Sequence, residues 1–243
     1  MRLKNIIIAC IIICKCTLTF GQKYDVEQLL QQDISNVFKF EYGRLNGVLG
    51  ADYSRIELYL KHIEKMDNRT YLINGATRTR AKIVSAFSGA IVIDSIDCSE
   101  QYNDEVNDID GYICGHYKFI ERGDASYSGI FSGNFRQAFS INNGKINPAY
   151  SLGLNDVIVV TYIGEWKNTN ITKQCNWTDG SKIPGTPNDF SAENAINELM
   201  VNTPYLKRGW DVLYNAVLGS GISEEEREKA RKIEQAEWWK EVE

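Results

Sequence analysis

Histidine is almost absent from this chain, which has only His62 and His116 in 243 residues. Zinc centres with several imidazoles and Ser-His-Asp triads both need histidine, so most sites of these kinds are excluded. His116 and Cys114 lie two residues apart and share one strand face, the minimal arrangement for a thiolate and base or for two metal ligands. Because that face is the polar one, we interpret both as surface residues and predict no catalytic residue and no metal site.

Paired inward-facing carboxylates are lacking too, so no glycosidase site can be assigned. The one acidic stretch, residues 104–111, does not have the spacing of a calcium loop. If Gly111 occupied the turn position of an EF-hand, the first ligand would be Val106 and the closing carboxylate would be Tyr117. We interpret the stretch as a solvated hairpin loop, and no cofactor is predicted.

Basic clusters and a second long apolar run are also missing. Without a stripe of lysine and arginine, a protein cannot displace the counterions of nucleic-acid phosphates, so we predict no nucleic-acid partner. No segment after the N-terminus has the length and apolar character of a membrane-spanning helix. The sequence predicts no transmembrane span.

The N-terminus has the features of a signal peptide. Residues 1–5 are basic, an apolar run follows from Ile6 to Ile13, and small residues precede Gln22. Cleavage after Gly21 removes three basic residues and no acidic one, which moves the formal net charge from −5 to −8. We expect an exported protein, periplasmic or secreted, with lipid attachment at Cys10 as the alternative.

Three of the six cysteines leave with residues 1–21, and the odd number that remains permits at most one internal disulfide. If Cys98 opposes Cys114 in an antiparallel hairpin, the same register places Asp94 opposite Lys118 and pairs opposite charges. We therefore predict a disulfide between Cys98 and Cys114. Cys175 is then a small core residue.

A repeated strand motif is the most informative feature that is present. In this five-residue motif the first residue is bulky, the third is glycine and the fifth is bulky. It occurs in five places, at 87–91, 113–117, 127–131, 131–135 and 162–166. In an extended chain all three lie on one face. Glycine on the packed face lets a sheet coil and leaves a gap that an aromatic side chain on the next strand covers. The motif predicts a closed, rolled sheet.

These patterns together predict an antiparallel up-and-down β-barrel, or strongly coiled sheet, of about eight to ten strands. Further strands are predicted from the alternation over residues 38–42 and 56–60. A capping box at Asp25 predicts a short N-terminal helix, and another at Ser223 opens the last helix. We divide the chain into a signal peptide (1–21), a barrel-like domain (22–183) and a helical C-terminal region (184–243).

The alternation of side chains along each strand predicts which of them point into the barrel. One polar residue, Gln137, falls among the inward aromatic residues, and a buried polar group needs a hydrogen-bond partner from the backbone or from a bound molecule. The candidate ligand-binding residues are Tyr127, Phe131, Phe135, Gln137, Tyr162 and Trp166.

In architecture the chain resembles the lipocalin and calycin group over residues 38–183, with up-and-down strands, an aromatic-rich interior and flanking helices. That group carries a Gly-x-Trp motif on its first barrel strand, whereas Gly164-Glu165-Trp166 comes late in this chain. The resemblance implies a barrel that holds a small ligand.

Three functions follow from these patterns, in order of preference. The first is an exported, non-enzymatic protein that holds a small, partly apolar ligand in an aromatic-lined barrel. The second is a periplasmic or surface interaction module with a barrel filled by its own side chains. Its protein partner would meet the acidic loop, the outer face or the C-terminal helix. A hydrolase is third.

We predict that the exported protein begins at Gln22. Intact-mass measurement of protein recovered from its own host should give the mass of residues 22–243. A mass that includes a diacylglyceryl group on Cys10 would establish the lipoprotein alternative instead.

Overall fold

A computed structural model describes residues 25–40, 43–98, 107–123, 128–151, 158–192, 199–219 and 221–241. The signal peptide prediction therefore lies outside the described residues. The strands are β1 (Leu45–Leu49), β2 (Ser54–Lys65), β3 (Thr70–Thr79), β4 (Val84–Asp97), β5 (Asn107–Asp108), β6 (Gly111–Glu121), β7 (Ile130–Asn142), β8 (Lys145–Pro148), β9 (Tyr150–Ser151), β10 (Val160–Lys167) and β11 (Thr172–Thr178). The helices are α1 (Val26–Gln31), α2 (Asp211–Val217) and α3 (Glu224–Gln235), with 310 turns at Ser35–Phe38, Thr203–Arg208 and Trp238–Glu241.

Eight of the strands close into an antiparallel barrel, which confirms the predicted fold class. Going round the barrel, the order is β1, β2, β3, β4, β6, β7, β10 and β11, and β11 pairs with β1 to complete the ring. Each strand therefore lies beside its neighbour in the sequence of barrel strands, the up-and-down arrangement. The short β8 extends β7 as a hairpin through Asn143 and Gly144, both at positive φ, and β5 pairs with β9.

Glycines let the strands approach where large rings cross the bore. Gly115 lies opposite Phe135, and a Cβ atom on Gly115 would come within 2.7 Å of that ring. Likewise, a Cβ atom on Gly164 would lie 2.7 Å from the hydroxyl of Tyr117. The predicted role of glycine, to leave a gap that an aromatic ring covers, is confirmed at Gly115.

The N-terminal segment closes one end of the barrel. Asp25 caps α1 through its side chain, which accepts a hydrogen bond from the Glu27 amide at 3.0 Å, so the predicted start of the helix is confirmed. The partner is the second residue of the helix and not Gln28, the third, whose amide a capping box would use. The ammonium group of Lys65 donates to the last carbonyls of α1, including that of Leu30 at 2.9 Å. A cation at this position satisfies carbonyl groups that a helix leaves without partners. The segment is thereby fixed to the β2–β3 end of the barrel.

The strand predicted over residues 38–42 is wrong where the structure describes it. Ser35–Phe38 forms a 310 turn, and Val37 and Phe38 are both fully buried at the closed end. Five alternating residues cannot distinguish a strand from a tight turn whose large side chains happen to face the core. Tyr42 lies outside the described residues.

The predicted disulfide between Cys98 and Cys114 is also wrong, and both residues are free thiols. Cys114 lies opposite Ser95, and Lys118 lies opposite Ala90 and not opposite Asp94, so the register on which the disulfide was predicted is not the one that forms. Cys114 packs with Tyr112 on the outer wall, whereas Cys98 packs against the barrel core. The matching of charged and apolar side chains across two strands does not by itself fix their register, and it does not detect the bulge between Ile93 and Ser95.

The C-terminal region packs against the outside of β1, β2 and β3. The ring of Trp239 stacks on Tyr59 at 4.6 Å between centroids, and Trp238 lies 5.2 Å from the guanidinium of Arg78. Trp210 is fully buried and donates from its indole nitrogen to the Tyr53 carbonyl at 2.9 Å. The boundary at residue 184 stays a prediction.

A buried ion-pair network holds α3 to the barrel wall. Both amino groups of the Arg55 guanidinium donate to the Glu234 carboxylate at 2.7 Å, and Arg44 adds a third bond at 3.0 Å. On the barrel side, Arg44, Arg55 and Arg78 all bond to Glu57. Arg55 is 5% exposed and Glu234 is 7% exposed. These charges are desolvated, so each depends on its partners.

The capping box predicted for α3 is confirmed, because Ser223 and Glu226 bond to each other's backbone amides. Two residues of α3, Ala230 and Glu234, are buried, and Glu234 faces the barrel wall. Among the helices in the described ranges, none combines the length and apolar character needed to cross a membrane.

We predict that Glu234→Gln lowers the free energy of unfolding by about 3 kcal/mol, because the buried Arg55 loses the carboxylate that both its amino groups bond to and keeps only the longer contact with Glu57. The matched control is Glu228→Gln on the same helix, where an exposed ion pair with Arg231 is worth at most about 1 kcal/mol. Urea denaturation of the three proteins measures both effects. Equal losses for the two variants would contradict the role of the network.

The same network makes stability depend on pH. Burial alone would raise the pKa of Glu234, but bonds and charges from Arg55 and Arg44 outweigh it and hold the pKa below its ordinary value. The folded state therefore binds this proton less readily than the unfolded state does. The stabilisation is present above the ordinary glutamate pKa and is lost as pH falls through the folded value.

Candidate functional site

Aromatic side chains fill the bore of the barrel in contact with one another. At mid-height, Tyr117 and Tyr162 lie 5.2 Å apart between ring centroids, and Tyr162 stacks with Phe135 at 5.8 Å. Phe38, from the closed end, packs edge-on against Phe135 at 5.8 Å. Contacts at these distances are favourable in themselves, beyond the burial of apolar area.

Four polar atoms inside this aromatic core have no hydrogen-bond partner within the described structure. They are the hydroxyls of Tyr117 and Tyr162, the indole nitrogen of Trp177 and the side-chain oxygen of Gln137. All four residues are 3% exposed or less. A buried polar group without a partner costs about 1–3 kcal/mol, so four of them in one bore require an explanation.

Three of these groups form a connected set with the thiol of Cys175. Tyr162 lies opposite Trp177 across the β10–β11 pair, and Tyr117 lies 6.3 Å from Trp177 between ring centroids. Burial raises the pKa of Tyr117 far above its ordinary value, with further contributions from Cys175 and Tyr162. Burial alone raises the pKa of Tyr162 similarly. Both phenols are therefore neutral hydrogen-bonding groups, not bases.

The sequence-predicted site residues are only partly brought together. Phe131, Phe135, Gln137 and Tyr162 are buried in the bore, and Phe131 packs against Trp177 at 5.2 Å. Trp166 is half-buried at the rim and not in the centre. Tyr127 lies outside the described residues. Whether any of them binds a ligand stays a prediction.

Three residues of the site are absent from the sequence prediction. Alternation along β6 is sufficient to find two of them, because Tyr117 is the second bulky residue of its glycine motif and Glu121 continues the same inward face. Trp177 lies on β11, which the sequence patterns do not predict as a strand, and it crosses the bore over Gly47. The sequence patterns indicate no inward-facing pair of acids, and the structure places one acid, Glu121, on the inward face.

Glu121 lies at the rim of the barrel, at the end opposite α1. One carboxylate oxygen accepts bonds from the Trp166 indole nitrogen at 2.8 Å and from the Gly129 amide at 2.9 Å. The other oxygen has one long contact, 3.5 Å to the hydroxyl of Thr77. The three described partners of this carboxylate are all uncharged.

The histidines lie away from this site. His116 is exposed on the outer wall, where its Nδ1 atom is 3.1 Å from the carboxylate oxygens of Asp94. His62 is exposed beside Glu64. In the part of the chain that the structure describes, no group of three histidine, cysteine or acidic side chains is arranged to hold a metal ion.

Comparisons of this chain with protein-family models, curated proteins and solved structures found no match.

We predict that Tyr117→Phe and Tyr162→Phe leave the unliganded protein as stable as the wild type, or up to about 1 kcal/mol more stable, because each removes a hydroxyl without a partner. Tyr71→Phe is the matched control. Its buried hydroxyl accepts a bond from the Ile34 amide at 3.2 Å, and its removal should cost about 1–2 kcal/mol. Thermal unfolding of the three variants measures the difference. A large loss at Tyr117 or Tyr162 would mean that its hydroxyl has a partner in solution.

Proposed function

We propose that this chain is an exported, non-enzymatic binding protein whose barrel holds a small, partly apolar ligand. The observation that supports this most directly is the set of four unpartnered polar atoms on Tyr117, Gln137, Tyr162 and Trp177. Ligand sites combine apolar walls with a few convergent polar groups, and the bore has both.

The polar set also indicates what the ligand must offer. Trp177 has only a donor to give, the free atom of Gln137 is an acceptor, and each tyrosine hydroxyl does both. A ligand with an apolar body and one or two polar groups would pair with them. It would relieve a desolvation cost that the barrel otherwise carries alone.

A second function has a specific observation in its favour. Many of the ring contacts in the bore are as close as those of an ordinary protein core, with Phe87 and Phe119 stacked at 4.7 Å. Barrels of eight strands are narrow enough to be filled by their own side chains. A filled barrel would act through its surface, as an interaction module.

Export is part of the proposal and depends on the N-terminal sequence pattern. The three free thiols, Cys98, Cys114 and Cys175, need no pairing for export, and burial raises the pKa of each. Half-buried or buried thiols with raised pKa values react slowly, since the thiolate is the reactive form.

Native mass spectrometry of protein purified from its own host tests the proposal. We expect a co-purified molecule that is retained in the wild type and lost on denaturation. Tyr117→Phe and Tyr162→Phe together should reduce its occupancy, since each hydroxyl contributes about 1 kcal/mol of hydrogen bonding to a ligand. Tyr214→Phe, on α2 outside the bore, is the control with the same chemical change.

A bare wild-type barrel with a co-purified protein would instead support the interaction module. In that case the four polar atoms would be hydrogen-bonded to buried water, which pairs with groups of this kind in other proteins.

A further inference from the structure

The rim carboxylate of Glu121 is directed toward the interior of the barrel, which is unusual for a charged group. It shares the inward face of β6 with Tyr117 and Phe119. Thr77, whose hydroxyl touches it, is 1% exposed. The charge is therefore partly desolvated, and its described partners neutralise none of it.

The charge of Glu121 also acts inside the bore. Burial raises the pKa of the Cys175 thiol well above its ordinary value, and the negative charge of Glu121 raises it further. Cys175 in turn affects Tyr117 in the same way.

The carboxylate still has room to accept hydrogen bonds. An ionised carboxylate has about four acceptor positions, and Glu121 uses two on one oxygen. Among the residues that the structure describes, its other oxygen has only the long contact with Thr77. A donor with a positive charge would satisfy both the free acceptor positions and the uncompensated charge.

The Trp166 ring beside Glu121 already contacts a cation of this chain. The ammonium nitrogen of Lys173, which lies opposite Trp166 in the β10–β11 pair, is 5.8 Å from the centre of the ring, within the range of a cation–π interaction. An ammonium group of a ligand would therefore bind the carboxylate of Glu121 and not this position on the ring, while the indole nitrogen orients the carboxylate.

We propose that the ligand carries an ammonium group that binds Glu121 at the rim, beside Trp166, while its apolar body faces the aromatic bore. The ligand class is a small apolar amine. This inference rests on the proposed function, because it specifies the ligand of the same barrel.

Three probes with one apolar body test it: 2-phenylethylamine, 2-phenylethanol and 3-phenylpropanoate. Isothermal titration of the full mature protein should show the ammonium probe binding at least about ten-fold more tightly than the neutral alcohol, with the carboxylate weakest. Glu121→Gln keeps the size of the side chain and removes its charge. It should weaken the ammonium probe about ten-fold and change the alcohol less than about two-fold.

Glu165→Gln is the matched control. Glu165 precedes Trp166 on β10 but is exposed on the outer wall, so the variant makes the same change in net charge. It should leave all three affinities within about two-fold. An equal loss in the two variants would mean that net charge, and not the rim site, attracts the amine.

The wild-type preference for the ammonium probe over the alcohol needs no variant, so it tests the inference even if Glu121→Gln does not fold. Equal binding of the two probes would overturn the inference but would be consistent with a barrel that binds a small molecule. Binding of none of the three would also overturn it. The proposed function is decided separately, by the molecule that co-purifies with the protein.

Discussion

Rings packed over glycines are the interaction on which this barrel depends. Eight strands enclose a bore that must be filled, and Tyr117, Phe135 and Tyr162 fill its centre from neighbouring strands. Gly115 and Gly164 make room for two of these rings. The barrel closes at the radius at which these aromatic side chains come into contact, so the curvature of the sheet and the packing of the core depend on each other.

The aromatic packing explains why polar groups are left unpaired inside. Tyrosine and tryptophan supply large rings, but each brings a hydroxyl or an N–H group that the apolar neighbours cannot satisfy. Tyr71 shows the satisfied case, with its hydroxyl bonded to the Ile34 amide at the closed end. Within the described structure, the hydroxyls of Tyr117 and Tyr162 and the indole nitrogen of Trp177 have no such partner.

The outer wall follows a different principle, because the C-terminal region is held there by charge. Arg55 and Glu234 meet across 179 residues of sequence and are both buried, with Glu57 and Arg44 completing the network. Buried ion pairs contribute geometric specificity more than net stability. The network fixes the position of α3 on β2.

The sequence by itself determined strands β2, β4, β6, β7 and β10, their inward aromatic face and the caps of α1 and α3, because these depend on alternation and on contacts a few residues apart. It did not determine the register of β4 against β6, which places Ser95 and not Cys98 opposite Cys114. It gave no indication that Glu121, Thr77 and Trp166 meet at one rim. Closure of the barrel decides that meeting, because the three residues lie on β6, β3 and β10, and only the folded ring brings those strand ends together.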